Sequence, residues 1–251
     1  MMRVRSIAVL VAASACSSSS GSTTNDAPAA IDSPSGMIDA PASTLPASDD
    51  FGAATLDPSW TVLDAARVTV AVSGGTLRLT PAPNALWYNG GQGALVYKSV
   101  TGDFIATATV HARKTSNASM PPSLPIELGG VMARAPGTAS ENYVLLVIGY
   151  GEMNGLAVEH KSTTNSVSVF AEVPFAPDAE LRLCRKGAVF TLYRRAPGAA
   201  TWTQDHQVTR ADLPATLQVG PNAYDMQATP DVTISFDQFT FGPVTGGNCE
   251  S

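Results

Sequence analysis

The chain has 251 residues, of which 44% are hydrophobic and only 14% are charged, and its formal net charge is −6. The hydrophobic content is ample for a packed core, and the low charge with 21 Gly and 18 Pro indicates short strands joined by turns instead of salt-bridged helices. A negative chain with scattered Lys and Arg lacks the basic surface that nucleic acid requires, so we expect no nucleic-acid partner.

Residues 1–15 are organised like a bacterial signal peptide. Arg3 and Arg5 form a positive start, and the apolar run 7–13 is too short to span a bilayer, which needs about 20 residues. Ala13-Ser14-Ala15 then offers a small-residue cleavage site before Cys16. The sequence therefore predicts export, and an ordinary secretory peptide followed by a chance cysteine is the alternative.

Ala-Ser-Ala-Cys at 13–16 resembles the bacterial lipobox, although Ala13 stands where Leu is commoner. The resemblance implies that the Cys16 thiol is lipidated and that Cys16 becomes the mature N-terminus. Two or more acyl chains anchor a protein firmly in a membrane. Because Ser17 and not Asp follows the cysteine, the same resemblance implies the outer membrane as the destination.

Residues 16–48 change composition to Ser, Ala, Thr and Pro. Such a stretch has too few large apolar side chains to offset the entropy of ordering, so we expect a disordered tether carrying the lipidated Cys16. If it behaves as a flexible linker, its root-mean-square reach is about 30 Å.

From residue 49 to residue 243 the pattern is that of β-strands. Val68–Val72 and 76–80 alternate around Ser-Gly-Gly, which indicates a hairpin, and 143–148 is the continuous apolar run of a strand covered on both faces or lining a groove. Further strands are predicted at 104–110, 155–161, 166–173, 181–185, 189–195, 202–208 and 232–241. About a dozen short strands without helical periodicity predict an all-β sandwich or jelly roll.

Several motifs in this region occur in the order of a known superfamily. They are Asp49-Asp50-Phe51, 56–60, 100–104, 129–134, 142–144 and 236–239. The region 49–243 resembles the concanavalin A-like lectin/glucanase superfamily, and specifically a branch of unknown function related to the domain appended to some bacterial β-xylosidases. The resemblance implies a concanavalin A-like β-sandwich. It does not imply a function, because the superfamily includes lectins, glucanases and structural modules.

The sequence lacks the usual catalytic patterns. Glucanases of this superfamily carry Glu-x-Asp-x-x-Glu on one strand, and the nearest substitute here is Glu159 with Glu172. A hairpin that pairs Lys161 with Ser166 would separate these two glutamates by about 13 Å, whereas retaining and inverting glycosidases need about 5 and 6.5–9.5 Å. We therefore expect no enzyme activity from this pair.

The other candidate catalytic groups are isolated in the sequence. Glu127, Glu141 and Glu152 lie near strand ends without an evident partner. His111, His160 and His206 have no metal-ligand spacing, and no G-x-S-x-G elbow occurs.

A carbohydrate site is suggested by aromatic and amide residues, because sugar rings present apolar C–H faces beside hydroxyl groups. The segment 87–92, Trp-Tyr-Asn-Gly-Gly-Gln, has this composition in a predicted loop. The candidate ligand contacts are Trp87, Tyr88, Asn89, Gln92, Tyr150, Asn154 and Tyr224. The alternative is that Trp87 packs over the sandwich as a plug. Trp60 and Trp202 are, by family resemblance, packing residues.

The resemblance also implies one structural calcium ion between the opening and closing strands. Asp50 and Asp237 occupy the matching positions. Calcium prefers several hard oxygen ligands, but no dense Asp/Asn loop occurs here, so ordinary solvated carboxylates are the alternative.

Two cysteines remain once Cys16 is lipidated. Export places Cys184 and Cys249 in an oxidising compartment, where disulfides persist. If Leu181 and Leu183 point into the core, strand alternation turns Cys184 to the other face, within reach of the Gly-rich tail 244–251. We predict a Cys184–Cys249 disulfide, with two free thiols as the alternative.

Together these features favour a lipid-anchored, non-catalytic module of the cell envelope that binds carbohydrate or glycoconjugate. A divergent glycoside hydrolase, whose carboxylates converge from separate strands, is one alternative. An envelope protein that binds another protein through a broad apolar patch is the other.

Overall fold

The computed structural model describes residues 43–137, 139–153 and 155–250. The predicted signal peptide, the predicted lipidation site at Cys16 and Asn154 lie outside these residues. Within them the chain forms fourteen strands and a single 3-10 turn, Ala65–Arg67. No helix in this part of the chain is long and apolar enough to cross a membrane.

The strands form two antiparallel sheets of seven strands each. The first sheet contains, in spatial order, β1 (Thr61–Val62), β4 (Ala94–Thr101), β13 (Thr216–Asp225), β6 (Glu127–Arg134), β7 (Tyr143–Tyr150), β8 (Leu156–Thr164) and β9 (Val167–Pro174). The second contains β12 (Thr203–Thr209), β11 (Val189–Arg195), β10 (Asp178–Lys186), β5 (Phe104–Arg113), β14 (Thr233–Gly242), β3 (Leu77–Pro81) and β2 (Val68–Val72). The predicted all-β sandwich is confirmed.

The main core lies between the two sheets, and strand alternation builds it. In β5, Phe104, Ala106, Ala108, Val110 and Ala112 are all buried in this core, at every second position. Since residues of one strand alternate between its faces, the intervening side chains of β5 point to the outer face of the second sheet.

The first sheet is covered on its outer face as well. A second apolar cluster lies there, formed by Trp87, Leu95, Ile126, Leu128, Met132, Tyr143, Leu145, Val147 and Tyr224. This explains the unbroken apolar run of β7, because Val144 and Leu146 enter the main core while Tyr143 and Leu145 enter the second cluster. The cover is the segment between β3 and β4, residues 82–93, which we call the cover loop.

The C-terminal tail is fixed to the second sheet by the predicted disulfide. Cys184 of β10 bonds to Cys249, with the Cα atoms 5.8 Å apart. Leu181 and Leu183 are buried in the core, and Cys184 lies in a small outer cluster with Ile105. The predicted pairing is confirmed.

Both tryptophans assigned to packing are packing residues, Trp60 in the core and Trp202 half-buried on the outer face of the second sheet. Trp60 is buried, and its indole nitrogen donates to Asp49 Oδ2 at 2.8 Å. The Trp202 ring contacts the guanidinium groups of Arg182 and Arg195, each 4.2 Å from the ring centroid.

Candidate functional site

Trp87 is a packing residue of the cover loop. Its side chain is 0% exposed, its indole nitrogen donates to Ala94 O at 3.0 Å, and its ring meets Tyr143 edge-on at 5.4 Å. The prediction that Trp87 contacts a ligand is therefore wrong, and the alternative, that Trp87 packs over the sandwich, is confirmed. Tyr224 is corrected likewise, since it is fully buried and its hydroxyl donates to Glu159 Oε1 at 2.6 Å.

Tyr88 and Asn89, at the tip of the cover loop, reach the surface beside β9. Tyr88 is 38% exposed, and its ring meets Phe170 edge-on at a centroid distance of 6.3 Å. The backbone N–H of Asn89 donates to Ser168 Oγ at 2.8 Å, and the N–H of Ser168 donates to Asn89 Oδ1 at 3.1 Å. These reciprocal bonds attach the loop to the edge strand. We call Tyr88, Asn89, Ser168 and Phe170 the rim.

The remaining predicted ligand contacts do not all join the rim. The Gln92 amide is half-buried and donates to Glu141 Oε1 at 2.6 Å. Leu145 of β7 lies opposite Lys161 of β8, which lies opposite Phe170 of β9. Tyr150 is the last residue of β7, five residues beyond Leu145. At about 3.3 Å per residue, this places Tyr150 about 16 Å along the strand direction from the rim.

A buried ion pair lies directly beneath the rim. Lys161 Nζ donates to Trp87 O at 2.9 Å and lies 3.0 Å from Glu159 Oε1. The same ammonium lies 5.6 Å from the ring centroid of Tyr88 and 4.7 Å from that of Tyr224. Burial raises the pKa of Glu159 to about 7, although the Lys161 charge opposes this shift. The Lys161 ammonium thus links the cover loop to the sheet.

The hairpin of β8 and β9 has a different register from the predicted one. Its two-residue turn is Asn165-Ser166, both with positive φ (49° and 64°), so Lys161 pairs with Phe170 and not with Ser166. Glu159 therefore lies directly opposite Glu172, and the predicted separation of 13 Å is wrong. An Asn at the first turn position tolerates positive φ, and this was the signal in the sequence that could have located the turn.

Glu141, which lacked an evident partner in the sequence, has one in the structure, and Glu172 also accepts hydrogen bonds. Arg134 donates twice to Glu141, with both distances 2.7 Å, and both side chains are buried. Glu172 accepts the backbone N–H groups of Glu152 and Met153 at 2.7 and 3.2 Å. These carboxylates hold strands and loops in place.

Two histidines that are remote in sequence stack on each other at the open edge of the sandwich. The rings of His160 (β8) and His206 (β12) are 4.0 Å apart and nearly parallel. They line a groove of about 520 Å³ together with the exposed residues Val167 and Val169. Burial and, to a lesser extent, the charge of neighbouring His206 lower the pKa of His160 to about 4. Residue spacing gave no indication of this pair.

The third histidine lies on the outer face of the second sheet. His111 is held between two carboxylates, with Nδ1 2.6 Å from Asp178 and Nε2 2.9 Å from Asp237. Burial lowers the pKa of His111, but the two carboxylates together outweigh it, and the pKa is raised above its ordinary value.

Asp50 and Asp237, the expected calcium ligands, do not meet. Asp50 Oδ1 accepts the N–H of Gly52 at 3.0 Å, whereas Asp237 binds His111, and the two carboxylates line different cavities. Within residues 43–137, 139–153 and 155–250, no three His, Cys, Asp or Glu side chains are grouped to hold a metal. The structure therefore does not assemble a coordination shell from this pair.

Comparisons with known proteins identify the fold. No protein-family model and no curated protein matches the sequence. Among solved structures, the chain is similar to a functionally unknown protein from Saccharomyces cerevisiae, with 15% identity and a TM-score of 0.62, over 75% of this chain and 98% of that one. It is also similar to xylan β-1,4-xylosidase from Bacillus halodurans C-125, with 18% identity and a TM-score of 0.58, over 78% of this chain.

A third similar structure is the Bacteroides ovatus xyloglucan PUL protein GH43B, with 18% identity and a TM-score of 0.55, over 79% of this chain. The matched region covers only 39% of the Bacteroides protein and 39% of the Bacillus xylosidase. At these identities the likeness shows the fold alone. The fold is the two-sheet antiparallel β-sandwich that the sequence predicted, and these similar structures share it.

Proposed function

We propose that the protein is a non-catalytic carbohydrate-binding module of the cell envelope, anchored by lipid on Cys16, and that the rim is its ligand site. The observation that carries the proposal is the exposed ring of Tyr88. The buried Trp87, the Asn89–Ser168 bonds and the Lys161 ammonium fix the position of this ring. A ring held in place before binding loses little entropy when a ligand arrives.

The rim has the chemistry that a sugar requires. Tyr88 and Phe170 provide apolar ring surface, and the exposed Asn89 and half-buried Ser168 provide amide and hydroxyl groups. Tyrosine combines a rigid contact surface with a polar end at low cost in conformational entropy. Since the similar structures include a xylan xylosidase and a xyloglucan-locus protein, β-linked xylose-containing polymers are the first ligands to test.

The test is native gel electrophoresis in gels containing arabinoxylan or xyloglucan. Wild-type protein should migrate more slowly in at least one of these gels than in a plain gel, and Tyr88→Ala should abolish the retardation. Met153→Ala, at a side chain that is 73% exposed and outside the rim, is the matched control and should behave as wild type. Equal retardation of Tyr88→Ala and wild type would contradict the rim as the site.

Anchoring is tested separately on the full chain. Mass spectrometry of membrane-extracted protein should give a mature N-terminus at Cys16 with the mass of acyl chains. Cys16→Ser should leave an exported or uncleaved protein without the lipid. A mature N-terminus downstream of residue 16 with no acyl mass would contradict the anchor.

The direct pairing of Glu159 with Glu172 is the observation that favours a hydrolase instead. Directly opposed side chains have Cβ atoms about 4.5–5.5 Å apart, which suits the roughly 5 Å carboxyl separation of retaining glycosidases. Against it, Glu159 is 0% exposed and is held by Lys161 and Tyr224 beneath the cover loop. We expect no release of reducing sugar from the polymers above; release by wild type that Glu172→Gln abolishes would favour the hydrolase.

A further inference from the structure

Two buried carboxylates face each other at one end of the first sheet. Glu127, the first residue of β6, lies directly opposite Asp225, the last residue of β13. Both residues are 0% exposed. Side chains at directly opposed positions have Cβ atoms about 4.5–5.5 Å apart, so the two acids share one small region of the interior.

The two carboxylates differ in how they are satisfied. Glu127 accepts three backbone N–H groups: those of Ser123 and Leu124 at 3.2 and 3.0 Å, and that of Asp231 at 3.1 Å. Asp225 Oδ1 accepts the N–H of Gln227, but Asp225 Oδ2 is buried without a hydrogen-bond partner. One carboxylate oxygen in this region is therefore unused.

No cationic side chain compensates this pair. Among the described residues, neither Glu127 nor Asp225 forms a salt bridge, whereas the other buried acids Glu141 and Glu159 pair with Arg134 and Lys161. An ionised carboxylate costs several kcal/mol to bury unless it is paired or coordinates a metal. A pair of them at adjacent positions adds mutual repulsion.

We propose that Glu127 and Asp225 bind a calcium ion. Calcium takes oxygen ligands from carboxylates, backbone carbonyls and water, and extracellular modules with few charged ligands bind it with dissociation constants of about 10⁻⁴–10⁻³ M. The two side chains supply carboxylate oxygens, including the unused Asp225 Oδ2. The remaining oxygen ligands of a calcium shell would have to come from backbone carbonyls and water.

The ion would join three segments that meet at this end. Glu127 binds the N–H groups of the loop before β6 and of the loop before β14, and the N–H of Asp225 donates to Ala85 O, in the cover loop, at 2.9 Å. Calcium would therefore stabilise the base of the loop that presents Tyr88, whether or not a sugar binds there.

The test is thermal unfolding of the intact exported protein in EDTA and in about 10 mM CaCl₂, with MgCl₂ as the ion control. For a dissociation constant of about 1 mM, the melting temperature of wild type should rise by about 3–6 °C in calcium. Asp225→Asn should lose this rise while melting in EDTA no lower than wild type, because the amide is isosteric and uncharged. The double variant Asp50→Asn/Asp237→Asn should respond as wild type does.

Equilibrium dialysis with ⁴⁵Ca²⁺ provides a readout that does not depend on stability. Wild type should bind about one calcium per chain, and Asp225→Asn should bind none. If wild type binds no calcium, the buried acid is held as a protonated carboxyl and the proposal is overturned. If Asp225→Asn binds as wild type while the Asp50/Asp237 variant does not, the ion lies between the opening and closing strands instead.

Discussion

The hydroxyl of Tyr224 on β13 donates to Glu159 on β8, although β6 and β7 lie between these strands in the sheet. The phenol therefore lies across the outer face of the sheet, beneath the cover loop. Both residues are fully buried, and Lys161 Nζ lies 3.0 Å from Glu159 and 3.3 Å from the Tyr224 hydroxyl. This polar cluster fixes the position of the rim above it.

Tyr224→Phe should lower the free energy of unfolding by about 2 kcal/mol, because the buried Glu159 carboxyl loses a hydrogen-bond donor. Urea unfolding followed by tryptophan fluorescence measures the change. The matched control is Tyr97→Phe, a half-buried tyrosine of β4 whose hydroxyl has no hydrogen bond to the described residues; this variant should lie within about 0.5 kcal/mol of wild type. Equal effects of the two variants would show that the Tyr224–Glu159 bond contributes nothing.

The Glu159 carboxyl should make stability depend on pH. Its pKa is raised from an ordinary 4.5 to about 7 in the folded state, so the folded protein binds this proton more tightly than the unfolded chain does. The contribution of this proton to stability is complete below about pH 4.5 and is lost as pH rises through 7. Relative to Glu159→Gln, wild type should thus lose stability between these two pH values.

The comparison is made as a difference between wild type and Glu159→Gln at each pH. The subtraction cancels the effect of His160, which both proteins contain. The pKa of His160 is lowered from 6.5 to about 4, so its contribution to folding stability is lost as pH falls, opposite to that of Glu159. Parallel pH profiles for the two proteins would contradict a raised pKa at Glu159.

The Cys184–Cys249 disulfide should stabilise the fold by no more than about 4 kcal/mol, the chain-entropy value for a loop of this length. It attaches the tail to the outer face of β10, so most of the core is independent of it. Cys249→Ser should still fold, with a lower urea midpoint, and reduction of wild type should give the same midpoint. Failure of Cys249→Ser to fold would show that the tail has a larger role.

Local rules of alternation and turn chemistry predicted much of this fold. Because Leu181 and Leu183 were expected in the core, strand alternation predicted Cys184 on the outer face, where it forms the disulfide with Cys249. The apolar run of β7 indicated a strand covered on both faces or lining a groove, and the structure shows it covered on both faces.

The candidate site was harder to predict, because it depends on register and on the direction of side chains in a loop. The turn lies at Asn165-Ser166, so Lys161 does not pair with Ser166 as predicted and Glu159 lies opposite Glu172. Trp87 and Tyr88 are adjacent aromatic residues, yet Trp87 is buried and Tyr88 reaches solvent. That choice is set by the space above Tyr143, which no local pattern of the sequence reveals.

The most direct test of the central claim is an NMR titration of isotope-labelled protein with xylan and xyloglucan oligosaccharides. If the rim is the ligand site, one of these sugars should shift the backbone amide signals of Tyr88, Asn89 and Phe170 in a saturable way, and Tyr88→Ala should show no such shifts. Absence of shifts with every sugar tested, or shifts confined to the groove of His160 and His206, would contradict the account.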